Sequence, residues 1–140
     1  MGTLLGFDYG PRKIGVAVGQ TLTASAAPLT TLRAVRERPD WKAIGELIQH
    51  WQPDALVVGL PLNMDDSEAE VAQAARRFAR QLEGRFRLPV HLADERLTSR
   101  EASNRWGKRV RRIEELDAFA AKLILETWLD DHQQTLSRRR

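Results

Sequence analysis

The chain has 140 residues, 42% hydrophobic and 29% charged, with a formal net charge of +3, the size and composition of one compact domain that builds a core. It has no cysteine, which excludes disulfides, thiolate zinc sites and a cysteine nucleophile and fits a reducing cytoplasm. No apolar run approaches the roughly 18 residues of a membrane span, and the N-terminus lacks the basic, apolar and small-residue segments of a signal peptide.

The first predicted element is a strand over about residues 3 to 9, and Gly10-Pro11-Arg12-Lys13 turns the chain after it. Ile14, Val16 and Val18 alternate with small residues, which predicts a second strand antiparallel to the first. A third strand is expected over about 22 to 29. Asp40 is placed to cap a helix from Trp41 to about Trp51, with Ile44, Leu47, Ile48 and Trp51 as its apolar stripe and Pro53-Asp54 as its stop. The continuous apolar run Ala55–Gly59 reads as a strand buried on both faces.

Ser67 and Glu70 form a capping-box pattern before a long helix. Its expected inward face is Val71, Ala74, Ala75, Phe78 and Leu82, with Gly84 as its stop. A strand follows over 89 to 94. Thr98 and Glu101 repeat the capping-box pattern before a short helix, 105 to 112 read as a basic loop, and a last helix is expected from about Ile113 to His132. Three hairpin-linked strands followed by strands alternating with helices predict an α/β fold: a mixed five-stranded sheet, antiparallel first and parallel later, with helices on both faces.

Three acids stand where a core should be apolar. Asp8 interrupts the first strand, Glu95 closes the strand at 89 to 94, and Asp117 lies on the packed face of the last helix with Ala120, Ala121, Ile124 and Trp128. A lone buried carboxylate is costly unless paired, neutralised or bound to a cation. Three of them on separate elements point to one shared divalent ion. Ligands of such sheets gather at the carboxyl ends of parallel strands, where Asp8 and Glu95 lie. Oxygen donors suit Mg²⁺ or Mn²⁺. His50, His91 and His132 are scattered and show no zinc spacing. The bland alternative is that Asp8 caps a turn, Glu95 faces solvent and Asp117 caps its helix.

Charge is distributed unevenly. Residues 96 to 112 carry seven basic side chains against Glu101 alone. Beside Asp94-Glu95 this suggests an anionic partner held over a metal site. Lys108, Arg109, Arg111 and Arg112 are candidate phosphate contacts. Trp106 is a candidate for stacking on an unpaired base or, equally, for closing the core. Trp41, Trp51 and Trp128 fit apolar stripes and are expected in the core.

Phe7-Asp8-Tyr9-Gly10 with Ile14-Gly15-Val16-Ala17-Val18, then Val58-Gly59-Leu60-Pro61-Leu62-Asn63-Met64-Asp65, then Asp94-Glu95-Arg96-Leu97-Thr98, then Asp117-Ala118-Phe119-Ala120-Ala121 resemble the YqgF family. These are bacterial proteins of ribonuclease-H-like fold, related to the Holliday-junction resolvase RuvC. The four motifs are ordered and cover nearly the whole chain. The resemblance implies a single ribonuclease-H-like nuclease domain over 1–140 and catalytic, metal-binding roles for Asp8, Glu95 and Asp117. It draws Gly59, Pro61 and Asn63 to the site as a neighbouring loop. The function it implies is cytoplasmic processing of the 5′ end of the 16S ribosomal RNA precursor, with no membrane partner. The segment before Asp117 departs from the family pattern: it is shorter, is not glycine-rich, and carries Glu114-Glu115 where a basic residue is common.

Other functions fit parts of the pattern. A Holliday-junction DNA endonuclease would use the same acids. A non-catalytic nucleic-acid-binding or transcription-linked protein would keep the basic stretch and use the acids structurally. Asp8-x-Gly10 in a strand-turn-strand unit is also similar to the phosphate hairpin of actin-like and sugar-kinase ATPases, but those enclose ATP between two lobes with a second such hairpin, which this chain lacks.

Overall fold

Leu4, Leu5, Gly6 and Phe7 are all buried because β1 (Thr3–Tyr9) is the middle strand of a five-stranded sheet. The computed structural model describes residues 2–10, 12–34, 38–61, 70–95 and 113–138. The strand order is β3-β2-β1-β4-β5, with β2 at Lys13–Gln20, β3 at Ser25–Arg33, β4 at Ala55–Pro61 and β5 at Val90–Glu95. β1 pairs antiparallel with β2 and parallel with β4; β2–β3 is antiparallel and β4–β5 parallel. This is the mixed sheet the element order predicts.

The third strand begins three residues later and ends four residues later than expected. Residues 21–24 turn the chain instead. The Thr21 hydroxyl accepts from the Gly2 N–H at 2.7 Å and donates to the Gly2 carbonyl at 3.2 Å, and Ala24 takes a left-handed φ of 51°. Val16 pairs with Thr30 and Ala17 with Pro28, so Leu29 is an extra, bulged residue. A bulge and a proline both suit an edge strand, where backbone pairing on one side is dispensable.

One face of the sheet carries large side chains. Leu5, Phe7, Ile14, Val16, Leu56, Val58 and Leu60 pack there against two helices. α1 (Trp41–Trp51) begins as expected, with the Asp40 carboxylate accepting from the Ala43 N–H at 3.1 Å. It ends on Gln52, whose left-handed backbone (φ 49°) lets its N–H reach the Ile48 carbonyl. α2 (Glu70–Phe86) buries Ala72, Ala75, Phe78, Ala79 and Leu82. Ala74 is only half-buried, so the inward stripe runs through Ala72 and Ala79 beside the expected Ala75, Phe78 and Leu82. Gly84 does not stop the helix; the left-handed residue is Arg87, φ 56°, whose N–H closes on the Glu83 carbonyl. Phe78 sits 5.7 Å from Phe7, 5.0 Å from Tyr9 and 5.7 Å from Trp41, ring centre to ring centre. Trp41, Trp51 and Trp128 are half-buried and cover the core rather than fill it; the Arg85 guanidinium lies 4.3 Å over the Trp41 ring.

The opposite face carries Leu4, Ala17, Ala55, Val57 and Ala93, covered by α3 (Ile113–Arg138) through Ala121, Ile124, Leu125 and Leu129. This helix runs six residues past the expected end at His132. Its residues Ala118, Phe119, Ala120 and Ala121 are all buried. No helix among the described residues is long and apolar enough to cross a membrane.

Candidate active site

β1 alternates its side chains between the two faces. Leu5 and Phe7 belong to the α1–α2 face and Leu4 to the α3 face, so Gly6 and Asp8 also fall on the α3 side. In β5, Ala93 packs on that side and His91 stacks on Trp128 of α3 at 4.9 Å. Position 95 belongs to the same alternate set. β1, β4 and β5 are parallel, and Pro61 pairs with Glu95. The positions of Asp8 and Glu95 therefore share one face and the carboxyl edge of the sheet. Asp8 is half-buried.

The direction of α3 brings a third acid to that edge. A Cβ added to Gly19, which pairs with Leu4, would meet Leu125 and Leu129; a Cβ added to Gly6 would meet Leu125 at 3.1 Å and the Ala121 carbonyl at 3.4 Å. The helix thus runs opposite to β1 and lies close upon it. Only residues without a side chain allow that approach. Gly6 to Asp8 is about 7 Å along a strand, and Ala121 back to Asp117 is about 6 Å along a helix. The backbone of α3 at Asp117 stands level with Asp8. The fold brings positions 8, 95 and 117 to one edge on one face.

The row across the sheet at Asp8 is almost bare. Thr31 pairs with Gly15, Gly15 with Asp8, and Gly59 with Ala93; Gly59 follows Val58, the partner of Phe7. Gly15 and Gly59 bring no side chain to this part of the α3 face, and both are buried. Gly59 and Pro61 lie in β4 at its carboxyl end, extending the strand two residues beyond the expected Ala55–Gly59. The next row outward holds Arg33 and Lys13, which pair directly. Lys13, expected in the turn after β1, is the first residue of β2. Alternation from Ile14 would have placed Lys13 on the face of Asp8.

Asn63, Trp106, Lys108, Arg109, Arg111 and Arg112, with the Ser67 cap and the short helix after Thr98, lie outside the described residues. Among the described residues, no three His, Cys, Asp or Glu side chains gather as a metal site; positions 95 and 117 enter as backbone.

The profile of a family described as "RuvX: Holliday junction resolvase" matches residues 2–131. The chain belongs to the RuvX family. It is 53% identical over 133 residues to an Azotobacter vinelandii protein named "Putative pre-16S rRNA nuclease", covering 90% of this chain and 92% of that one. A Legionella pneumophila protein of the same name is 51% identical over 136 residues, covering 94% and 98%. These relatives bear out the resemblance read from the four motifs. Among solved structures, Thermus thermophilus RuvC in complex with a Holliday junction substrate superposes with a TM-score of 0.56 at 16% identity, covering 94% of this chain and 96% of that one. The fowlpox virus Holliday junction resolvase gives 0.56 at 8% identity, covering 92% and 99%. These structures establish the fold as ribonuclease-H-like.

Proposed function

We propose that this protein is a divalent-metal-dependent nuclease that hydrolyses phosphodiester bonds of nucleic acid, acting on the 5′ end of the 16S ribosomal RNA precursor. The observation that carries the reading is the meeting of Asp8, position 95 and position 117 at one edge, on one face. Membership of the RuvX family and the names of the relatives supply the chemistry; the pre-rRNA substrate follows the relatives' names. Such work belongs to the cytoplasm, and one domain, residues 1–140, is proposed to carry it.

A donor set of three carboxylates fits a hard cation, Mg²⁺ or Mn²⁺, and offers no soft ligand to a competing metal. Asp8, Glu95 and Asp117 would hold it. When bound, it supplies charge stabilisation for the phosphoryl oxygens and a more acidic water for attack at phosphorus. The residues themselves do the placing. Asp8 is fixed by its pairing with Gly15 of β2, and position 117 by the close seat of α3 on Gly6. Lys108, Arg109, Arg111 and Arg112 are proposed to hold phosphates of the substrate strand, with Trp106 stacking on a base.

A second reading, cleavage of four-way DNA junctions, is favoured by the description of the family itself. Purified protein incubated with a labelled pre-16S leader RNA and with a four-way DNA junction, each with and without Mn²⁺, tests both. The account expects Mn²⁺-dependent cleavage of the RNA, lost in Asp8→Asn. Cleavage confined to the junction assigns the substrate to DNA. No cleavage of either rejects the nuclease reading.

A further inference from the structure

The apolar side of α2 is buried in the core through Ala72, Ala75, Phe78, Ala79 and Leu82, and its opposite side is a line of exposed polar residues. Gln73, Arg77, Arg80 and Gly84 follow one another at four, three and four residues, and Arg87 comes three further on. That spacing puts them on one helix face. The Arg87 N–H closes on the Glu83 carbonyl at 2.9 Å, which holds this residue at the foot of the line. Between Val71 and Arg87 the sequence has five arginines against Glu83 alone.

Two features of this face have no cause within the fold. The first is unpaired charge. Arg77, Arg80 and Arg87 are exposed and make no ion pair among the described residues. The places where an acid one turn away would pair with Arg77 or Arg80 hold Gln73, Gln81 and Gly84, so the arginines are left to repel one another. The second is Gly84. Glycine is disfavoured inside a helix, and a Cβ added at this position would meet nothing within 4 Å. No packing within the chain requires the missing side chain. A glycine of this kind, set between arginines, suits the close approach of another molecule's backbone.

We propose that the outer face of α2 is a second nucleic-acid surface, with Arg77, Arg80 and Arg87 holding phosphates and Gly84 letting the strand come close. The inference rests on the nuclease reading for the identity of the anion and goes beyond it in place, because this face lies across the sheet from Asp8. α2 follows the carboxyl end of β4 and precedes the amino end of β5. Arg77 is therefore nearer the site edge, and Arg87 stands about 15 Å further along. A substrate longer than the reacting strand leaves the carboxyl edge and continues down this line. Arginine suits phosphate because its planar fork donates two parallel hydrogen bonds. The three contacts position the strand and read no base. With its apolar side buried, α2 offers no apolar face to a lipid surface.

The test is fluorescence anisotropy in EDTA over a range of salt, with a long single-stranded RNA and with a short oligonucleotide that spans only the carboxyl edge. Each phosphate contact on a single strand contributes about 0.7 to the slope of log affinity against log salt. Arg77→Gln with Arg80→Gln and Arg87→Gln is expected to flatten the slope by about 2.1 for the long RNA and to leave binding of the short one near wild type. Steady-state cleavage of the long RNA in Mn²⁺ should show KM raised far more than kcat is lowered. Gly84→Glu adds an acid to the same face without removing an arginine and should weaken binding of the long RNA alone. If thermal unfolding finds the triple variant destabilised, Gly84→Glu carries the test. An unchanged slope in the folded triple variant, or unweakened binding in Gly84→Glu, with wild-type protein cleaving, overturns the surface and leaves the nuclease reading standing. Loss of polyglutamate binding by the triple variant, with its RNA slope unchanged, assigns the face to an acidic protein and overturns the proposal. Wild-type protein that neither binds nor cleaves nucleic acid overturns both readings.

Discussion

The two faces of the sheet are built from opposite materials. The α1–α2 face is filled with Leu5, Phe7, Ile14, Val16, Leu56, Val58 and Phe78. The α3 face is lined, apart from Leu4, with small residues: Gly6, Ala17, Gly19, Ala55, Val57 and Ala93. Bulk on the first face supplies apolar burial, each fully buried large side chain contributing about 1.5–3 kcal/mol. Absence of bulk on the second admits a helix backbone to within contact of β1. Stability and positioning are thereby divided: one face holds the sheet together, and the other brings an acid on a helix to acids on strands. Substitutions on the two faces are expected to fail in different ways.

Asp8→Asn keeps the side-chain shape and removes a charged donor. Even residues supporting a metal's direct ligands typically cost 10–100-fold, so a direct ligand is expected to cost more than ~100-fold in kcat. The melting temperature and RNA affinity in EDTA should stay near wild type. Cleavage at the wild-type rate removes Asp8 from the mechanism.

Phe78→Ala is the complementary change on the other face. It removes the ring that meets Phe7, Tyr9 and Trp41 and should destabilise by about 3–5 kcal/mol. Urea unfolding measures the loss. Activity per folded molecule at low temperature should be retained, because this face positions no acid.

Gly6→Val breaks the division directly. Its side chain has to displace Leu125 and the Ala121 carbonyl, an overpacking cost of about 1–3 kcal/mol. The account expects cleavage to fall more steeply than stability, since α3 must lift away from β1. Equal stability loss with full activity would separate α3 from the site.

Asp40→Ala should cost only about 1 kcal/mol by loss of the α1 cap and leave cleavage untouched. A drop in activity would show that α1 communicates with the edge.

The same division explains what the sequence made legible. Strands β1 and β2 were readable because their alternation is regular, and α1 because Asp40 marks its start and Pro53 its end. β3 was displaced because a bulge at Leu29 and a four-residue turn at 21–24 carry no periodic signal. The end of α2 was missed because the left-handed position fell on Arg87 and not on Gly84. The acids of the site stood out as charges in apolar elements, and their common edge followed from strands of known direction. The pairing of Lys13 with Arg33 stayed hidden because each is ordinary in its own segment. Only the register of β2 against β3 sets them opposite one another and one step from Asp8. Similarly, the close seat of α3 depends on glycines that lie on two strands far from the helix in sequence, Gly6 of β1 and Gly19 of β2.

The central claim is that the acids at positions 8, 95 and 117 act as one cation site. A crystal structure of the protein soaked in Mn²⁺, with anomalous diffraction locating the metal, tests it most directly. The account predicts one or two Mn²⁺ peaks at the carboxyl edge on the α3 face, coordinated by Asp8, Glu95 and Asp117 together. Carboxylates of the three residues directed to separate surfaces, with no manganese between them, would contradict it.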